Sequence, residues 1–245
     1  MIKDIRSITC YETDSAKDLK PFAFMNIAQE LANRDAVRLG FGYDRLMELN
    51  TIWVLSRMEV RFLRTPLWRE TVEMDTWHKG EDGIFSLRDF LIRNEEGTED
   101  LITATSSWLI INLETRRIQR PQLLFDDTTL SEKTERHAIK TPCAKIEVPD
   151  RDLLRPAGQK TVNHSDIDFN GHVNNAKYIE WALDYLDPAL VTSRKVDRFR
   201  INFNNEAHLS DRIDMITALT NSLTYYVEGG KEGKNVFRAE ISFKP

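Results

Sequence analysis

Two stretches of the chain repeat each other, and this repeat limits the possible folds more than any other feature of the sequence. Residue 58 aligns with residue 199, a difference of 141, and the match continues to residues 74 and 215. In each copy apolar and polar residues alternate, a polar break follows, and alternation resumes, which indicates two strands joined by a short link. The matched positions are Val60 with Ile201, Phe62 with Phe203, Trp68 with Leu209, Glu70 with Asp211, Val72 with Ile213 and Met74 with Met215. The chain is therefore predicted to fold as two similar units.

A helical segment precedes the strand pair in each copy. Apolar residues recur at helical spacing within residues 22–37 and again within residues 176–186. Gly40 and Gly42 follow the first segment, and Pro188 follows the second, as is typical of residues that end a helix. One long helix is therefore predicted in each copy.

Further strands are predicted after each repeated pair. In the second copy, Gly229-Gly230 lies between two strand-like runs and predicts a hairpin turn. The runs are Phe85–Arg93 and Leu101–Asn112, separated by a polar turn at 94–100, and Leu223–Glu228 and Asn235–Phe243.

Each copy thus combines one helix with several antiparallel strands, an α+β composition. A sheet with one apolar face needs a cover, and a helix wrapped by a curved sheet provides it. We predict a double hot-dog fold of two tandem modules, residues 1–118 and 159–245. Residues 119–158, which are rich in proline and charge, are predicted to be a linker across the surface.

Composition excludes several classes of protein. A net charge of −5 argues against a general nucleic-acid binder. No apolar run approaches the roughly 20 residues of a membrane span, and the first residues have no signal-peptide character. Cys10 and Cys143 lie far apart without CxxC spacing, so we expect neither disulfides nor a zinc module. A cytoplasmic protein is predicted.

Two basic clusters allow two interpretations. Each is either a solvated surface or a docking surface for an acidic partner. One contains Arg116, Arg117 and Arg120, and the other contains Arg194, Lys195, Arg198 and Arg200.

A polar motif stands immediately before the second helix. Asp168, Asn170 and His172 are alternate residues, and in an extended segment their side chains project to one side. The free N–H groups and the positive end of the helix dipole beside them can hold a developing oxyanion. Asn174 or Asn175 is the expected helix cap. Turn formation and capping are the alternative explanation for the motif.

The first copy provides an internal control for this motif. Its corresponding stretch, roughly residues 11–24, contains no Asp-x-Asn-x-His, and the offset of 141 places Glu206 against Thr65. We therefore predict that Asp168, Asn170, His172 and Glu206 form a site that the fold itself does not require.

At these residues the sequence resembles the acyl-carrier-protein (ACP) thioesterases of plants and bacteria. The run from Asp168 to Ile179, which includes Asp-x-Asn-x-His-Val-Asn-Asn, is the most specific part of the resemblance. It also covers residues 52–54, 57–58, 66–68, 72–77, 104–108 and 115–117 of the first half and residues 204–207 of the second.

The resemblance implies a double hot-dog fold and the hydrolysis of fatty acyl-ACP, the step that terminates fatty acid synthesis. The plastid-targeting extension of the plant members is missing here, so a bacterial cytosolic enzyme is expected. Matched by motif, Asp168, Asn170, His172 and Glu206 take the catalytic positions. Plant members have a cysteine after this glutamate, whereas Ala207 stands here, so a cysteine nucleophile is excluded at that position. The acyl chain is expected to bind in the first half. The predicted substrate-binding residues are Phe22, Met25, Trp53, Asn174 and Asn175.

The expected mechanism activates a water molecule. Glu206 or Asp168 would take the proton of the water, with Glu206 favoured, and Asn170 with helix N–H groups would stabilise the oxyanion. His172 would orient the reacting groups. No cofactor and no metal are expected, because the five histidines show no ligand spacing.

Two other functions remain open from the sequence. One is acyl-CoA hydrolysis, and the other is a non-catalytic acyl-binding hot-dog protein. The expected partner is acyl carrier protein, with no nucleic acid and no membrane span. The repeat places two paired modules in one chain, so both a monomer and a homodimer are compatible with the sequence.

Overall fold

The computed structural model describes residues 1–125 and 136–245, and its elements follow the predicted order. In the first half, helices α1 and α2 lie between the first two strands. The elements are β1 (Ile2–Ser7), α1 (Pro21–Arg38), α2 (Tyr43–Glu48), β2 (Thr51–Phe62), β3 (Thr71–Asp82), β4 (Phe85–Asn94), β5 (Asp100–Asn112) and β6 (Ile118–Gln119).

The second half repeats this order with a shorter main helix and shorter strands after it. Pro188, predicted to end a helix, is the first residue of a separate short helix whose N-terminus is capped by Asp187. The elements are β7 (Arg155–Thr161), α3 (Asn175–Asp184), α4 (Pro188–Ser193), β8 (Val196–Phe203), β9 (Arg212–Asn221), β10 (Thr224–Lys231) and β11 (Lys234–Phe243).

Within the described residues, the strands form one antiparallel sheet that runs through both halves. Its order is β1-β3-β4-β5-β2-β8-β11-β10-β9-β7, and β6 pairs with β5. The long helices α1 and α3 pack on this sheet and share one hydrophobic core. The architecture is the predicted α+β double hot-dog, with the two modules joined edge to edge.

The junction between the halves has local twofold symmetry. Glu59 of β2 pairs with Arg200 of β8, and the repeat offset of 141 makes these two residues equivalent. Met58 pairs with Ile201 and Val60 with Phe199, so the flanking pairs are also exchanged by the twofold. The two repeats therefore bury their inner strand edges against each other, which leaves no open edge at the centre of the sheet.

The hairpin turn predicted at Gly229-Gly230 is wrong by three residues. Strand β10 continues to Lys231, and the turn falls at Glu232 and Gly233, which both have positive φ (52° and 76°). A Cβ on Gly229 would lie 2.8 Å from Ile213 and closer still to the Phe237 ring. Glycine is needed here because these side chains pack directly on the backbone.

Residues 136–139 pack against β3 and β4 of the first half. Lys79 donates a hydrogen bond to the Ile139 carbonyl at 2.7 Å, and the N–H of Ala138 donates to Asp89 at 2.8 Å. Ile139 is buried, as are Cys143 and Ile146. Part of the predicted linker, residues 126–135, lies outside the described residues. The module boundaries remain a prediction, although β7 already begins at Arg155 because that segment pairs with β9.

Among the described residues, no helix is both long enough and apolar enough to cross a membrane.

Candidate active site

The loop before α3 is a closed turn held by the Asp168 side chain. The Asp168 N–H donates to the His172 carbonyl at 2.8 Å, and the Gly171 N–H donates to the Asp168 carbonyl at 3.1 Å. The Asp168 carboxylate accepts the N–H groups of Asn170 at 2.8 Å and His172 at 3.4 Å. Gly171 has a φ of 80°, which glycine adopts readily. One oxygen of Asp168 is therefore occupied in shaping the loop.

The first half contains the same turn. The Asp14 N–H donates to the Asp18 carbonyl at 2.9 Å, and the Asp14 carboxylate accepts the N–H groups of Ala16 at 2.9 Å and Asp18 at 3.0 Å. Lys17 has the positive φ, 67°, at the position of Gly171. The expectation that the fold does not require Asp168 is thus wrong, because Asp14 has the same structural role.

Asp14 was not recognised from the sequence as the counterpart of Asp168, because the repeat offset changes along the chain. Residue 14 corresponds to residue 168, a difference of 154, whereas the strands follow a difference of 141. The change falls between loop and strand, where α1 has 18 residues and α3 has 10. In the corrected alignment, Ala16 stands against Asn170 and Asp18 against His172.

His172 and Glu206 come together beside this loop. The His172 Nε2 atom lies 3.6 Å from Oε2 of Glu206, and the two side chains are each 35% exposed. A hydrogen bond from the Val173 N–H to the Ala207 carbonyl, at 3.0 Å, holds the loop against the segment that follows β8. The His208 ring lies edge-on to His172 with centroids 5.0 Å apart. His172, Glu206 and His208 are also the side chains in this region that could hold a metal ion.

Arg116 from the first half forms an ion pair with Glu206. Its Nη2 atom donates to Oε1 of Glu206 at 2.8 Å, so Oε2 is the oxygen that faces His172. From the sequence, Arg116 was placed in a surface cluster, and nothing in the spacing of residues 90 positions apart connects it to Glu206.

The other side of Glu206 is anchored in the core. Ala207 is fully buried, and its backbone forms a hydrogen bond with the Tyr178 hydroxyl of α3. Burial raises the pKa of Tyr178, so the hydroxyl stays neutral. Its ring packs against Trp181, Phe203 and Phe237. The segment that contains Glu206 is therefore positioned by α3.

A cavity of about 380 Å³ extends from the loop into the first half. The second half contributes Asp168, Phe169, Asn170, Asn174 and Asn175 to its lining. Asn174 caps α3 through the Ala176 N–H, as expected, and Asn175 is the first helical residue. The first half contributes Gln29, Glu30, Ala32, Asn33, Ala36, Phe41, Tyr43, Leu46, Ile52, Trp53, His78, Ser86, Arg88 and Trp108.

The predicted acyl-binding residues of the first half are only partly in this cavity. Trp53 lines it, and its indole N–H donates to the Phe41 carbonyl at 2.9 Å. Met25 is buried in the main core and Phe22 packs against that core, so neither belongs to the lining. The cavity begins at Gln29, one helical turn beyond Met25 on the same face of α1.

The cavity has a buried polar wall that was not predicted from the sequence. Arg88 lies on β4 and donates to Asp35 of α1 at 2.7 Å and to Thr76 at 3.2 Å. Burial lowers the pKa of Arg88, an effect that the Asp35 carboxylate opposes. Burial would raise the pKa of Asp35, but Arg88 reverses this, and the pKa lies below its usual value. Arg88, Phe90 and Ile92 are alternate residues of one strand, so the sequence already places a charged residue on the same face as two apolar ones.

Two family models together match most of the chain. A family model of the acyl-ACP thioesterase N-terminal domain matches residues 3–123, and a model of the C-terminal domain matches residues 157–245. The chain belongs to the acyl-ACP thioesterase family. The site residues Asn170, His172 and Glu206 lie within the C-terminal match, and most of the cavity lining lies within the N-terminal one.

Relatives within the family include plant enzymes. An oleoyl-ACP thioesterase of Coriandrum sativum is 28% identical over 86% of this chain and 60% of its own length. A palmitoyl-ACP thioesterase of Gossypium hirsutum is 30% identical over 89% of this chain and 55% of its own length. The chain thus spans 55–60% of the length of these two relatives.

Solved structures match over nearly the whole chain. An acyl-ACP thioesterase from Bacteroides thetaiotaomicron superimposes with a TM-score of 0.89 at 26% identity, covering 99% of this chain and 97% of that one. A 12:0-ACP thioesterase from Umbellularia californica gives a TM-score of 0.84 at 24% identity, covering 100% and 97%. Because the sequence identity of this second match is low, it supports the fold alone.

Proposed function

We propose that this chain hydrolyses fatty acyl-ACP to free fatty acid and holo-ACP. The observation that carries the proposal is the His172–Glu206 pair, which lies beside the loop that contributes Asp168 and Asn170 to the cavity lining and has no counterpart in the first half. Membership of the acyl-ACP thioesterase family supports the choice of substrate.

Glu206 is the proposed general base. Its Oε2 atom faces His172, whereas the Asp168 carboxylate accepts two backbone N–H groups and shares that role with Asp14 of the first half. A base needs a lone pair that can reach the water. Asp168 is therefore assigned to positioning Asn170 and His172.

The remaining groups act on the thioester. Glu206 takes the proton of a water molecule whose oxygen attacks the acyl carbonyl, and His172 orients that water. The Asn170 side chain and the N–H of Asn175, the first residue of α3, stabilise the oxyanion, because the next N–H, that of Ala176, is already bound by the Asn174 side chain. When the C–S bond breaks, the sulfur receives the proton held by Glu206.

The acyl chain would occupy the cavity of the first half. Ala32, Ala36, Leu46 and Ile52 offer it apolar contact, and the wall at Arg88 would limit its length. Each CH₂ buried contributes about 0.8 kcal/mol, so the length of the apolar section would set the preferred chain.

Arg117 and Arg120 are the proposed docking residues for the acidic carrier protein. Both are exposed near the active-site Arg116, and the described residues form no ion pair with either. The other basic cluster is less suitable, because Arg198 and Arg200 bind Glu240 and Lys195 binds Asp18. A cytoplasmic location and a monomer or homodimer belong to the same proposal, and the free thiols of Cys10 and Cys143 fit a reducing compartment.

The test compares one acyl chain on two carriers. Acyl-ACP and acyl-CoA of equal chain length are supplied, and fatty acid release is measured for the wild type and His172→Ala. We expect a higher kcat/KM with acyl-ACP and a loss of turnover in the variant. A preference for acyl-CoA would overturn the choice of carrier. If neither acyl-ACP nor acyl-CoA is hydrolysed, the non-catalytic acyl-binding function would replace the proposed one.

A further inference from the structure

Three side chains of metal-binding type converge beside the loop that precedes α3. Ligand atoms of His172, Glu206 and His208 all lie within 4.8 Å of one another, and His172 Nε2 lies 3.6 Å from Glu206 Oε2. Two imidazoles and one carboxylate form a ligand set that catalytic zinc sites use. Metal bonds of about 2.1 Å in a tetrahedral site place ligand atoms roughly 3.4 Å apart, so the first two ligands are already nearly in place.

His208 can complete the set with a small movement. Its side chain is half exposed, and its Nδ1 atom lies 3.9 Å from Asp211, a distance that leaves the ring free to turn. In metal sites, a carboxylate often accepts a hydrogen bond from the imidazole nitrogen that does not bind the metal, and this orients the ring. Asp211 lies beside Nδ1 of His208 in this way. In the first half, the corresponding residues are Asp18, Thr65 and Leu67, so the fold does not require this group of ligands.

We propose that His172, Glu206 and His208 bind one Zn²⁺ ion reversibly and that the ion stops hydrolysis. Binding would occupy the carboxylate and the imidazole that act on water, a consequence that rests on the proposed function. Mg²⁺ prefers oxygen ligands, so it should not compete for a site with two imidazoles. The positive charge of Arg116, whose guanidinium lies 2.8 Å from Glu206, repels a bound Zn²⁺ ion and keeps the affinity for zinc moderate.

Binding is tested without reference to activity. Tag-free, chelator-treated protein is titrated with Zn²⁺ against a chromophoric zinc chelator, and with Co²⁺ by visible absorption. We expect one ion per chain for the wild type. Loss of an outer-shell partner usually costs about 10–100-fold in affinity, so His208→Gln, which removes a direct ligand, should weaken binding at least about tenfold.

Two further variants make the test specific. His164→Gln removes another exposed histidine and should bind as the wild type does. Arg116→Gln removes the opposing charge and should bind more tightly. Equal affinities in the wild type and His208→Gln, or no binding at all, would overturn the site.

Inhibition is tested with acyl-ACP at a buffered concentration of free Zn²⁺. Fatty acid release is followed by mass spectrometry, since thiol reagents and holo-ACP themselves bind zinc. Each variant is compared with its own metal-free rate, and the loss of rate should follow the affinities from the titration. Full activity with the site occupied would overturn the inhibition. If the metal-free protein does not hydrolyse acyl-ACP, the proposed function fails while the titration still decides the metal site.

Discussion

The loops that precede the two long helices have the same backbone and different chemistry. Asp14 and Asp168 each close a turn by accepting two N–H groups. In the first half, Asp18 is held by Lys195 at 2.9 Å, whereas in the second half His172 faces Glu206. The fold thus supplies the turn twice, and only the second copy equips it with Asn170, His172 and Glu206.

This difference separates what shapes the site from what reacts. An aspartate shared by both halves is explained by the turn, whereas a residue found in one half needs another reason. The cavity shows the opposite asymmetry, since most of its lining comes from the first half. In the proposed function, this asymmetry gives the chemistry to the second half and the selection of the acyl chain to the first.

The largest effect is expected at Glu206. Glu206→Gln keeps the size and the possible contact with Arg116 but removes the base, and kcat should fall by about 10²–10⁴-fold. Steady-state fatty acid release from acyl-ACP measures this. The matched control is Thr65→Ser at the equivalent first-half position, which should leave kcat unchanged. Near-normal turnover in Glu206→Gln would return Asp168 to the role of base.

Asn170 should show the next largest effect. Asn170→Ala removes an oxyanion donor, and kcat should fall by about 10²–10³-fold with little change in the free energy of unfolding. Ala16→Asn, the converse change in the first-half loop, should not alter kcat. If both variants changed stability and neither changed kcat, Asn170 would belong to the turn alone.

The two aspartates provide a test of stability. Asp14→Ala and Asp168→Ala each remove acceptors for two backbone N–H groups, and each should lower the free energy of unfolding by about 1 kcal/mol. Urea unfolding of both variants measures this. Asp168→Ala should also slow turnover by displacing Asn170 and His172. Similar destabilisation with no loss of activity in Asp168→Ala would show that the turn does not position the site.

The smallest effect is expected on chain length. Changing the Arg88–Asp35 pair together, as Arg88→Met with Asp35→Asn, avoids leaving one buried charge without its partner. The apolar section should lengthen, and kcat/KM for longer acyl-ACPs should rise by about fourfold per additional CH₂ relative to shorter ones. Asn170→Ala should instead lower kcat/KM by the same factor for acyl-ACPs of every chain length. A uniform change in the double variant would place the acyl chain outside this cavity.

The sequence by itself determined the features that depend on local periodicity. The alternating runs predicted most of the strands, the helical spacing predicted α1 and α3, and the repeat predicted two similar halves. The run from Asp168 to Asn175 predicted a polar loop immediately before a helix, and α3 begins at Asn175. These predictions succeeded because the fold of each segment follows mainly from which of its faces is apolar.

Only the tertiary structure decided which side chains meet. Arg116 reaches Glu206 across 90 positions, His208 approaches His172, and Gly229 lies beneath Phe237. Such contacts depend on strand register and on the packing of loops between elements, which residue spacing does not encode. The turn that the Asp168 carboxylate closes, and its counterpart at Asp14, also became visible only in the folded backbone.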